Sequence, residues 1–157
     1  MGVNLTEALL PPVWSGGVKD TSRFDFYTRL VVESGLILGG KDTVSEIIAA
    51  MCGESSLDNL LVGNNARNGS NNTSLGISWM QLDTAWHVKD LTFMHALRSD
   101  PIVALRYVAD PANGLCSHGG LRTYFNKQLW HAWEAENIDP VEGWSMLAEA
   151  EAAYDRL

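Results

Sequence analysis

The sequence predicts a mainly α-helical domain with one small loop or hairpin region around residues 60–82. Three observations predict it. Helix-start signals recur along the chain, and apolar residues return at three- and four-residue spacing with little strand-like alternation. The main break in that pattern is a run rich in Gly, Asn and Ser. At 157 residues the chain suits one domain over 1–157, long enough for a core and short for two.

The first predicted helix carries Phe24, Tyr27, Leu30 and Val31 and stops around Gly35, with Gly39-Gly40 completing a tight connection. The second starts at Thr43, where Thr43-Val44-Ser45-Glu46 has the capping-box pattern, and ends near Gly53. Val44, Ile47, Ile48 and Met51 share one of its faces. Residues 63–72, Gly-Asn-Asn-Ala-Arg-Asn-Gly-Ser-Asn-Asn, hydrogen-bond their own backbone and tolerate positive φ, which makes a loop. Asp100-Pro101 and Asp139-Pro140 each combine an N-cap with a proline whose missing N–H is unpaired anyway, so both open helices. Leu121, Tyr124, Phe125, Leu129 and Trp133 are spaced for one more.

Nineteen acidic against eleven basic side chains give a net charge of −8, which excludes a nucleic-acid binder that relies on neutralising phosphate. Residues 134–157 hold seven of the acids and one base, so the predicted C-terminal helix of about 139–156 is the acidic part of the chain. It is either a solvated face or a docking surface for a basic partner. No apolar run is long enough for a membrane span, and Met1 to Pro12 lacks the pattern of a signal peptide. Cys52 and Cys116 form no Cys-x-x-Cys pair. His87, His95, His118 and His131 show no ligand spacing, and no phosphate-binding loop is present, so neither metal nor cofactor is expected.

A carboxylic acid donates protons best when partial burial raises its pKa, and Glu54 directly follows the apolar helix of Ile47, Ile48 and Met51. The segment from Ile47 to Ser56, with Glu54-Ser55, resembles the Glu-Ser signature of soluble lytic transglycosylases and goose-type lysozymes. Ser74-Leu75-Gly76 and Met80-Gln81 resemble the Ser-x-Gly and Met-Gln elements that line their substrate cleft. The likeness spans roughly residues 28–133, including stretches like those of many phage-borne members. That family commonly has Gly where this chain has Ser56, and its two cleft elements are closer together than here. Tyr124-Phe125-Asn126 is a loose counterpart of its Tyr-Asn pair. Glu33-Ser34-Gly35 is a decoy, since Gln81 lies 27 residues beyond Glu54 but 48 beyond Glu33.

The resemblance implies a lysozyme-like fold with a catalytic core of about 22–133, Glu54 as catalytic acid, and substrate contacts from Ser55, Ser74, Trp79, Met80, Gln81 and Tyr124. It implies cleavage of the MurNAc-GlcNAc β-1,4 bond of peptidoglycan glycan strands. Two-carboxylate glycosidases need a second acid near the bond, and residues 59–82 contain none, which leaves Asp58 and Asp83 as possible second carboxylates. The expected setting is a bacteriophage virion or the host cytoplasm before release. The alternative reading is an inactive adaptor of a phage tail that docks other virion proteins through the acidic helix.

Overall fold

The computed structural model describes residues 21–64, 75–113 and 141–157. Among them are five α-helices and a three-stranded antiparallel sheet, in agreement with a mainly α chain. Helix α1 spans Ser22–Ser34 and ends at Gly35, which takes the left-handed φ of 66° that a residue without Cβ adopts at little cost. Its buried face includes Phe24, Tyr27, Leu30 and Val31, the predicted stripe.

Helix α2, Lys41–Ser55, differs from expectation at both ends. It starts two residues before Thr43, its N-cap is Gly40, and no side chain caps it, so the capping box is not used. Thr43 instead lies inside the first turn and packs against Gly39, where an added Cβ would come within 2.7 Å of the Thr43 Cβ. At the other end the helix runs past Gly53, so Glu54 and Ser55 belong to its last turn rather than to a following loop. From Ile47 to Cys52 every residue is buried, which marks α2 as the central helix, covered on more than one side. Burial pushes the free Cys52 thiol up to about 12, so it behaves as a small apolar side chain.

The hairpin region resolves into strands β1 (Val62–Asn64), β2 (Leu75–Ile77) and β3 (Leu82–Asp83), in the order β1-β2-β3. Gly63 pairs with Gly76, and Ile77 with both Val62 and Leu82. Helix α3, Leu91–Ser99, has no counterpart among the helices predicted from the sequence; Asp90 caps it by accepting from the Phe93 N–H at 2.7 Å. Helix α4, Pro101–Ala109, starts as expected, with Asp100 accepting from Ile102 N–H at 3.1 Å and Pro101 in the first turn. A 3-10 turn at Pro111–Asn113 follows it. The helix predicted from Leu121 to Trp133, and the Asp139 cap, lie outside the described residues.

Helix α5, Val141–Asp155, packs mainly on α2 and less extensively on α1. Ala150 and Ala153 are fully buried, and small residues there let two backbones approach closely. Exposed ion pairs tie down its end: Lys41 to Asp155 at 2.8 Å and Arg156 to Asp25 at 2.6 Å. Exposed pairs of this kind are screened by solvent and contribute little, so the apolar seam is what holds α5. One apolar cluster joins all five helices and the sheet. No helix among the described residues is long and apolar enough to cross a membrane.

Candidate active site

Glu54 stands on the last turn of the central helix, directly before Ser55. Its carboxyl is partly buried, and loss of water around it raises its pKa above the ordinary value, the condition a proton donor needs. The helix stops one residue later, at Ser55, because Ser56 and Leu57 both take left-handed backbone, with φ of 53° and 57°. Ser56 is the cap residue, and its N–H donates to Cys52 O at 2.7 Å. The position where the resemblance calls for Gly is thus one whose geometry favours Gly, and the departure at Ser56 removes no functional side chain. Ser56→Gly is expected to stabilise the protein by about 1 kcal/mol through relief of left-handed strain, read from the urea midpoint. A destabilised variant would show that the Ser56 hydroxyl has a role of its own.

The raised Glu54 pKa has a consequence for stability. The folded protein holds this proton more tightly than the unfolded chain does. The carboxyl therefore contributes nothing below the ordinary carboxylate range and lowers stability as pH rises from that range through the raised pKa. Glu54→Gln is expected to raise Tm at pH 7 and to leave it unchanged near pH 3. A Tm at pH 7 equal to or below that of the wild type would contradict a desolvated carboxyl.

The other expected residues divide sharply. Ser55 is buried; its hydroxyl lies 2.8 Å from Trp79 O and 3.1 Å from Met51 O, so it ties the end of α2 to the turn between β2 and β3. It builds the site rather than contacting a ligand directly. Trp79, expected to offer a face to sugar, is fully buried: its ring packs 4.4 Å from that of Tyr27 and its Nε1 donates to Pro101 O at 2.9 Å. Met80 is also buried. The physical reason is the turn itself. Left-handed backbone at Ser78 and Gln81 (φ 69° and 51°) folds residues 77–80 into the core, which no apolar spacing could reveal. Ser74 and Tyr124 lie outside the described residues.

Gln81 is half-buried. Its Nε2 donates to Ser78 O at 2.7 Å, with a longer approach of 3.4 Å to Leu61 O. Its Oε1 rests on the paired Gly63 and Gly76, and a Cβ at either position would require the flexible Gln81 amide to move aside.

Both possible second carboxylates cap turns. Asp58 Oδ1 accepts from Leu60 N–H at 2.9 Å and Asp83 Oδ1 from Ala85 N–H at 2.7 Å. Asp83 also lies near His87, whose pKa is lowered by burial in partial opposition to that carboxylate. Asn59 and Arg98 were not anticipated. Asn59 is fully buried, a rare state for an amide and one that spacing does not signal. Its Nδ2 donates to Arg98 O, while Arg98 Nε and Nη2 donate to Leu60 O at 3.2 and 3.0 Å. Tyr27 lies against the same segment, near Arg23, Asp58 and the Asn59 backbone, and burial holds its phenol well above the ordinary range. Among the described residues no group of three His, Cys, Asp or Glu could hold a metal ion. Comparison with family models, with curated proteins and with solved structures finds no match for this chain.

Proposed function

We propose that this chain cleaves the glycan strands of bacterial peptidoglycan as a lysozyme-like glycosidase, with Glu54 as its catalytic acid. The observation that carries the reading is a partly desolvated carboxyl on the last turn of the central helix, next to Ser55, whose hydroxyl ties that turn to the one between β2 and β3. A turn-capping role for both Asp58 and Asp83 favours a mechanism with one carboxylate. Glu54 gives its proton to the glycosidic oxygen as the bond from that oxygen to the muramoyl C1 breaks. The resulting carboxylate then takes the proton of the muramoyl 6-hydroxyl as O6 bonds to C1. The products are a 1,6-anhydro end and a free 4-hydroxyl, and Glu54 is left protonated as it began.

With a net charge of −8, free diffusion to an anionic wall is disfavoured, so delivery on a bacteriophage particle suits the chain better than action as a free lysis enzyme. The test is incubation of the protein and of Glu54→Gln with isolated peptidoglycan, followed by mass spectrometry of the soluble fragments. Anhydro-ended fragments from the wild type, lost by about a thousandfold or more in the variant, are expected if proton transfer and its timing rest on this one group. Reducing-end fragments would instead assign a water-activating role to Asp58 or Asp83. No fragments from a folded sample on several wall types would leave the inactive adaptor as the better reading.

A further inference from the structure

We propose that Arg98 is a positioning residue for Glu54, acting through the elbow formed by residues 55–61; the proposal deepens the reading of Glu54 as the acid and rests on it. The elbow follows Glu54 without a break. Ser55 O accepts from Asp58 N–H at 3.1 Å, Asp58 O from Leu61 N–H at 3.3 Å, and Leu61 O from Ser78 N–H at 3.0 Å. Leu57, at its centre, is fully buried although its backbone is left-handed, so surrounding structure must hold it there.

One set of contacts that fixes this segment comes from α3. The Arg98 guanidinium places two donors on Leu60 O, and the backbone carbonyl of the same residue accepts from the side chain of Asn59. Two segments almost forty residues apart in sequence thus exchange hydrogen bonds in both directions at adjacent positions. A guanidinium can span this arrangement because its donors form a rigid planar fork, whereas a lysine ammonium offers a single flexible point. On its other side the elbow is fixed by Ser55, whose hydroxyl reaches Trp79 O. Glu54 therefore sits on the last rigid turn before a segment clamped from two sides. Releasing one clamp lets the end of α2 fray, which moves the carboxyl and admits water to it.

The experiment compares wild type, Arg98→Met and Arg98→Lys for kcat and KM on soluble glycan strands, alongside Tm. It also follows the Glu54 side-chain carboxyl by 13C NMR through a pH titration. Displacement of a reacting group by a fraction of an ångström is expected to lower kcat about tenfold or more in Arg98→Met, with KM within about twofold. The Glu54 titration is expected to move down toward the ordinary carboxylate range. Arg98→Lys, which keeps the charge, should fall between the two and supplies the test if the Met variant does not fold. An arginine that merely supports the fold would lower Tm and leave the kcat of the folded fraction and the Glu54 titration unchanged, and that result overturns the proposal. If the wild type cleaves no glycan, the enzymatic reading fails and the titration alone decides whether Arg98 positions Glu54.

Discussion

Trp79→Ala will cost about 3–5 kcal/mol of folding stability, enough to remove much of the stability of a chain this size. The expectation follows from complete burial, from the ring contact with Tyr27 and from the indole bond to Pro101 O, which together join α1, the sheet and α4. Trp79→Phe separates the contributions. It keeps most of the buried ring but leaves the Pro101 carbonyl without its indole donor, so a loss of about 1–3 kcal/mol is expected from the unpaired group. Urea denaturation measures both. The rival expectation, that Trp79 stacks on a sugar ring, predicts the opposite pattern: little change in stability and a marked loss of affinity for glycan strands. A cost below about 1 kcal/mol for the alanine variant would restore that role.

Deletion of residues 141–157 is expected to abolish cooperative unfolding. Helix α5 covers the central helix over its longest interface, and its fully buried Ala150 and Ala153 leave no gap there for solvent. A chain without α5 would expose apolar α2 surface to water, and dye binding with a broad thermal transition would report it. A double change of Glu149 and Glu151 to Gln should move stability by no more than about 0.5 kcal/mol, because both are surface acids and the attraction of Glu151 for Lys41 is solvent-screened. If instead the truncated chain kept a sharp melting transition, α5 would be an appendage, and the docking reading of the acidic tail would gain strength.

What could be read from the sequence was set by local physics. Gly35 ends α1 because its backbone is left-handed, and Asp100-Pro101 opens α4 because the cap and the proline act within one turn; Gly63 and Asn64, expected in a loop, belong instead to β1, paired with Gly76 and Leu75. The start of α2 was not legible: Gly40 caps it with no side-chain hydrogen bond, and its first residue, Lys41, pairs with Asp155, more than a hundred residues away. Helix α3 was legible in principle: Asp90 caps it, and Phe93, Met94 and Leu97 share a face. Its stripe is short, and only Leu97 is fully buried. At the candidate site the acid was visible because an apolar helix leads to it. The roles of its neighbours were not, because burial of Trp79 and Asn59 is decided by left-handed turns and by α3, neither of which leaves a periodic trace.

The corner between α3 and α4 carries an implication for chain length. Asp100 donates its backbone N–H to Ala96 O at the end of one helix, while its side chain and carbonyl accept from Ile102 and Val103 at the start of the next. One residue completes both helices, so no spare position exists between them. An inserted residue would either separate the two roles or rotate all of α4 by about 100°, carrying Ile102 and Leu105 off the core. Related chains are therefore expected to differ in sequence at this corner but not in length, and an alignment gap between Ser99 and Pro101 would mark a chain built on a different arrangement of these helices.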